Sequence, residues 1–262
     1  MFYQNIFLEN LHSGQRLFCF NSRPSEGWQS KIDGVVIRLS IKDGEHTYFS
    51  DKFSFYNFAP MNKLPPSFYT RKDIVAIAKD LVGKIVQTNI NGVVTSGRIV
   101  ETEAYVAHID KASHAYKGKR TQRNEQMYAA AGTVYVYICY GMHHMLNVVT
   151  NAVDVPDAVL IRAIEPIDGI ADMLLRTGKK TLDNTLTKGP GNVAKALGIT
   201  KIFSGLFFGD DKIDIYHDGF ILNDSQIGTS KRIGIASAGD DAFLPYRFFI
   251  KGNKFVSGSP VR

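Results

Sequence analysis

The chain has 262 residues, 44% of them hydrophobic and 21% charged, with a formal net charge of +6 and a sequence pI near 9.1. This length can bury a substantial core as one large domain or two small ones, and the composition is that of a globular protein. Two cysteines, Cys19 and Cys139, lack the spacing of a disulfide framework or a zinc site, and no apolar run approaches a membrane span.

Residues 1–62 differ in texture from the rest. They hold 12 of the 30 aromatic residues and the tryptophan Trp28, with six basic and six acidic side chains. VVIRLSI at 35–41 alternates like a strand, and KDGEH followed by TYFSDKFSF predicts a hairpin return. This segment reads equally as a small β appendage or as an extension without fixed structure. The start, MFYQNIFLEN, lacks the cationic and apolar regions of a signal peptide, so a cytoplasmic protein is expected, nucleoid-associated if the source is bacterial. PMNKLPP at 60–66 reads as a linker to a domain at 63–262.

Residues 63–262 carry 25 basic and 19 acidic side chains, the whole charge excess, which on charge alone fits equally a polyanionic partner for that part or solvated lysines that keep the protein soluble. Thr70 and Asp73 resemble a capping box, and Ile74, Ile77, Ala78 and Leu81 mark one face of a short helix. KIVQT and VVTSGRIVETEA follow, joined at Asn91–Gly92 as a hairpin. The second arm ends in VETEAY, whose alternation sets Val100, Thr102 and Ala104 against Glu101, Glu103 and Tyr105. TVYVYICY alternates again, with Gly141 allowing a sharp turn into MLNVVT and a buried run AVLIRAIEP. Helices are predicted from Gly169 to Leu175 and in GPGNVAKALGI, where a proline opens the helix and Gly198 closes it. RIGIA and YRFFIKG read as terminal strands. Strands interleaved with a few short helices predict an α+β fold with a mostly antiparallel sheet.

Three groups of residues can carry chemistry. KASHAYKGKRTQR, from Lys111 to Arg123, holds five fixed positive charges and no acid, a pattern suited to phosphate contacts. TVYVYICYGM presents Tyr135 and Tyr137 on one face and Tyr140 at a turn beside Met142, where a ring can wedge between stacked bases. Strand tyrosines are ordinarily sheet formers, and strand glutamates ordinarily face water. A carboxylate beside a nucleic acid repels phosphate, so binding gives no reason for it. Hydrolysis does, because a glutamate deprotonates water and stabilises an oxocarbenium cation. The histidines do not have the spacing of a metal site, and GPGNVAKALG lacks the lysine and hydroxyl of a phosphate loop. Two other classes remain open at this point: a nucleic-acid-binding module without activity, and a hydrolase of soluble nucleosides or oligosaccharides using Glu101 and Glu103 as a pair.

RIVETEAY, SHAYKGKRTQRNEQMY, GTVYVYICYGMHHMLNVV, VLIRAIEP and KGPGNVAKALGI, in that order, resemble the alkyladenine (3-methyladenine) DNA glycosylases from about residue 66 to 262. The resemblance implies a single α+β domain with a curved antiparallel sheet and a protruding, DNA-intercalating hairpin. It implies excision of alkylated or deaminated purines from duplex DNA by a monomer that takes no cofactor or metal. It makes Glu103 the base that activates water, Arg162 its partner, and Glu101 a flanking acid without that role. Tyr105, His114 and Tyr137 match residues that hold the extruded base, and Asn147 matches the asparagine that disfavours guanine. Tyr140 matches the intercalating wedge, with Met142 against the minor groove. Lys117, Lys119, Arg120 and Arg123 are the expected backbone contacts. His143, also expected at the DNA, departs from relatives that have an aromatic residue there.

Overall fold

The computed structural model describes residues 61–258 in full and, before them, the backbone of four strands within residues 19–49. These are β1 (Cys19–Phe20), β2 (Trp28–Ile32), β3 (Val35–Lys42) and β4 (Glu45–Phe49), which pair in that order as an antiparallel sheet. The pairing of β3 with β4 is the hairpin expected from the alternation of VVIRLSI. The rest of the expected return, residues 50–55, lies outside the described residues. The chain divides into two compact units, Met1–Phe58 and Ala59–Arg262.

The second unit contains β5 (Asn62–Lys63), α1 (Pro66–Tyr69), α2 (Ile74–Leu81), β6 (Ile85–Ile90), β7 (Val93–Tyr105), β8 (Val134–Cys139), β9 (His143–Thr150), β10 (Asp157–Asp168), α3 (Ile170–Thr177), α4 (Pro190–Ala196), β11 (Ile213–His217), β12 (Ile227–Ser230) and β13 (Arg247–Ile250). It is an α+β domain built on one nine-stranded sheet in the order β5-β11-β6-β7-β10-β9-β8, with β13 also paired to β7 and β12 to β13. Every pair of named strands is antiparallel. Among the described residues no helix is long and apolar enough to cross a membrane.

The local reasons for these elements are mostly visible in the sequence. In α2 the side chain of Asp73 caps the helix by accepting from Ala76 N at 3.0 Å, and Ile74, Ile77, Ala78 and Leu81 are buried as their spacing predicts. Thr70 has no part in that cap; it closes α1 instead, so the expected capping box reduces to a single aspartate. Asn91 and Gly92 both have positive φ, the conformation that a two-residue β6–β7 turn requires. The main core holds α2 residues with Ile99, Ala104, Ile161, Ile164, Val193 and Leu197. Each such Leu or Ile contributes about 1.5–3 kcal/mol when fully buried.

Three expectations change. The second half of PMNKLPP is not linker: β5 pairs with β11, and Leu64 is buried with its amide on Ile215 O at 2.9 Å. RIGIA is not a strand, because β12 ends at Ser230 and Gly234 then takes a φ of 78°. The two faces of VETEAY also do not alternate cleanly. Register shifts between β7 and β10 skip Arg162 on β10 and Val100 on β7, on either side of the Ala163–Glu101 pair. Val100 therefore packs with Ala163, Phe249, Phe255 and Val256, while Ala104 stays in the main core. Thr102 points toward α2, where its hydroxyl donates to Ala78 O at 2.7 Å. The bulge gives Arg162 no partner residue on β7 and re-aims its side chain.

Candidate active site

Glu101 and Glu103 lie on the central strand β7, two residues apart, and both are fully buried. Unlike ordinary strand glutamates, neither faces water. Arg162, delivered by the bulge in β10, spans them: its Nε donates to Glu101 Oε1 at 3.0 Å, and its terminal nitrogen lies 3.4 Å from Glu103 Oε1. Beyond that shared arginine their surroundings differ. Arg247 Nε donates to Glu101 Oε1 at 2.6 Å and Ser257 N to Oε2 at 2.7 Å. Glu101 is thus saturated by two guanidinium groups and an amide. It is a structural anchor that joins β7, β10, β13 and the C-terminal turn.

Glu103 is held more lightly. Ile233 N donates to Oε1 at 2.8 Å and the Tyr105 hydroxyl to Oε2 at 2.8 Å. Burial pushes its pKa above the usual carboxylate range, while Arg162, the Ile233 amide and the Tyr105 hydroxyl pull it back; Glu101 adds to the rise. A carboxylate in this position is poised to take up a proton. Burial likewise pushes the phenol of Tyr105 well above its ordinary value, aided by Glu103, so Tyr105 stays protonated and donates to that carboxylate.

Tyr105 also lines a narrow cleft with Ala112, His114, Met127, Tyr135, Tyr137, Asn147 and Ala158. The structure therefore brings together Tyr105, His114, Tyr137 and Asn147, which are far apart in sequence. Tyr137 meets His114 edge to face at a centroid distance of 4.5 Å. His114 Nδ1 is 2.9 Å from the Tyr135 hydroxyl, and burial lowers its pKa to about 4, so the ring is neutral near pH 7. Burial pushes Tyr137 up to about 12. Asn147 donates through Nδ2 to Tyr135 O and Met145 O, which fixes the side chain at the cleft wall. Walls made of neutral rings suit a flat aromatic ligand.

The loop that brings His114 to the cleft is tied by buried Asn124. Its Nδ2 donates to His114 O at 3.0 Å and Lys119 O at 2.7 Å, and its Oδ1 accepts from Thr121. Lys117, Lys119 and Arg123 remain exposed on that loop. Arg120 differs: Glu125 and Asp154 both pair with it, and its guanidinium stands 4.5 Å from the Tyr128 ring centroid. Arg123 lies over Tyr137 at 5.7 Å and donates to Ile138 O.

Tyr140 and Met142 are not in the cleft. They occupy the tip of the β8–β9 hairpin, where Tyr140 is 84% and Met142 70% exposed. Tyr140 and Gly141 both have positive φ, and Met142 N bonds to Cys139 O, which closes a tight turn. Holding a tyrosine there costs about 1 kcal/mol, so the fold keeps this ring outward at some expense. His143 follows directly after the turn, paired with Cys139, its ring against Gly191, where a Cβ would approach Nδ1 to 3.0 Å.

Sequence reasoning missed Arg232, Arg247, Asp110, Ile233 and Asn124. Asn124 alone had a nearby signal, its place just after the basic loop. Among the described residues no cluster of three or more His, Cys, Asp or Glu is gathered as a metal ion requires.

A family model described as methylpurine-DNA glycosylase matches residues 67–254. A candidate 3-methyladenine DNA glycosylase of Clostridium perfringens strain 13 is 47% identical over 203 residues, covering 74% of this chain and 98% of its own length. Similarly described proteins of Bacillus cereus strain G9842 and Bacillus anthracis strain CDC 684 are 44% and 43% identical over 202 residues, with the same coverage.

Proposed function

The chain belongs to the methylpurine-DNA glycosylase family, and from that membership we propose that it hydrolyses the N-glycosidic bond of alkylated or deaminated purines in duplex DNA. The observation that carries the mechanism is Glu103, a buried carboxylate bonded to a hydroxyl of the aromatic cleft. In this reading the Tyr140 ring enters the stack at the damaged site, and the nucleotide rotates into the cleft between Tyr105, His114 and Tyr137. Glu103 takes a proton from water, and the water oxygen attacks the anomeric carbon. The C–N bond breaks with its electrons leaving on the purine, giving a free base and an abasic site. Arg162 keeps Glu103 ionised and in place. The described cleft residues include no lysine to form a Schiff base, so the DNA strand stays intact.

Purines alkylated on a ring nitrogen, such as 3-methyladenine and 7-methylguanine, carry a positive charge. They leave without further protonation and are favoured between electron-rich rings. Hypoxanthine is neutral and needs a proton on departure. Duplexes that each contain one modified purine, assayed for alkali-labile sites, test the assignment. Absence of such sites across the panel, with tight duplex binding retained, would make the protein a binding module.

The same duplexes test the wedge. Flipping opens a gap whose lost stacking is worth a few kcal/mol, and an inserted ring restores about 1–3 kcal/mol of it. Tyr140→Ser is expected to slow single-turnover excision by about one to two powers of ten at well-paired lesions and by less at mispaired ones. A defect uniform across opposing bases would remove Tyr140 from this role.

The pH profile tests Arg162. Glu103 acts as a base only in its ionised form, which predominates above its raised pKa and is lost as pH falls through it. Arg162 opposes that rise, so Arg162→Gln should move the acid limb of the rate to higher pH. A 7-methylguanine duplex is the substrate of choice, because its departure needs no additional proton. An acid limb that stays in place would detach Arg162 from the ionisation of Glu103.

A further inference from the structure

Residues 231–235 contain no helix or strand, yet the backbone amide of Ile233 is one of the donors that hold Glu103. What fixes this amide is next to it in sequence. The side chain of Arg232 is fully buried and reaches three separate segments. One terminal nitrogen donates to Ala104 O at 2.8 Å and to Asp110 Oδ2, and the other donates to Asp110 Oδ1 at 2.9 Å and Asp241 O at 3.0 Å. Its guanidinium also lies 4.8 Å from the ring centroid of Tyr105, the second donor to Glu103. Asp110 is itself pinned, accepting from Val106 N at 3.3 Å and Ala112 N at 2.9 Å.

We propose that Arg232 and Asp110 form a buried clamp whose task is to position the Ile233 amide and the Tyr105 ring on Glu103. Both are positioning residues, and the proposal rests on Glu103 being the base. A buried ion pair adds little net stability over an apolar pair of similar volume. A bidentate fork adds orientation, which an apolar contact does not. Because Ala104 precedes Tyr105 and follows Glu103, the clamp sets strand and loop in one frame. Misplacement of a catalytic group by about 1 Å can cost about 10²-fold in rate.

The charged and titratable groups facing Glu103 are Arg162 from β10, Glu101 and Tyr105 from β7, Tyr137 from β8 and Arg232 itself; Arg247 from β13 reaches Glu101. In Asp110→Asn these all remain while the fork is lost. The expected result has three parts. The Ile233 amide loses protection from hydrogen exchange, measured by NMR. Single-turnover excision from a 7-methylguanine duplex falls by about 10²-fold. Its acid limb moves to higher pH, since a donor to the carboxylate is weakened, while affinity for an abasic-site duplex holds.

The double variant Asp110→Asn with Arg232→Gln leaves no unpaired buried charge and provides the same readouts if Asp110→Asn fails to fold. Arg232→Lys, which keeps the charge but not the fork, should not restore wild-type behaviour. Retained Ile233 protection overturns the clamp whatever Glu103 does. Lost protection with an unmoved acid limb overturns its link to the chemistry. A wild-type rate for Glu103→Gln, measured separately, would show that the base assignment had failed and would overturn the proposal with it.

Discussion

Glu103→Gln is expected to slow base release by about 10²–10⁴-fold, the usual contribution of a general base, while leaving affinity for an abasic-site duplex nearly intact. Glutamine retains the shape and can still accept from Ile233 N, but it cannot take a proton from water near neutral pH. The same substitution should leave the fold as stable or more so at neutral pH. Glu103 has a folded-state pKa above its unfolded value, so the folded chain binds that proton more tightly. Stability therefore falls as pH rises from the unfolded pKa through the folded one. Glutamine removes this loss. Single-turnover rates together with melting curves at several pH values check both parts. Comparable turnover by the variant on its best lesion would dismiss Glu103 as the base.

Glu101→Ala should show the opposite signature, a loss of fold rather than a selective loss of rate. Glu101 is fully buried and accepts from Arg162, Arg247 and Ser257 N. Its removal leaves Arg247 buried without its carboxylate. Breaking a buried pair in this way costs about 3–5 kcal/mol. For a domain of this size, that should lower Tm by about 6–20 °C, at about 2–4 °C per kcal/mol. Glu101→Gln, which keeps an acceptor for Ser257 N, should be milder. Thermal melts of the two variants beside Glu103→Gln decide the matter. If Glu101→Ala melts like wild type but is inactive, the two carboxylates have exchanged roles.

Arg120 shows how far a local charge pattern can be read. As one of five cations in a short loop, it looks equivalent to Lys117 and Lys119. The fold brings Asp154 against it from beyond β9, and Glu125 pairs with it from the loop's own end. Arg120 stays exposed like Lys117, Lys119 and Arg123 and differs from them in its two carboxylate partners. Adjacency in sequence placed all four on one loop, but the partners that neutralise one of them come partly from elsewhere.

The sequence by itself determined whatever depends on short spacing. The two-residue period put Glu101, Glu103 and Tyr105 along one strand, and the helical period marked the buried face of α2. Asn91–Gly92 and Gly141 marked the turns of the two hairpins, because asparagine and glycine tolerate positive φ locally, whereas the positive φ of Tyr140 is no local preference of a tyrosine. The ordered motifs were enough to reveal the family. Only the tertiary structure decided that two similar glutamates have different environments. Their distant partners, Arg162, Arg247 and Ile233, lie about 60 to 150 residues away and arrive through strand order, a bulge and a loop without regular structure. No local period encodes which arginine meets which carboxylate. Burial, which raises the pKa of Glu103 and makes Glu101 an anchor, belongs to the assembled sheet and not to any one strand.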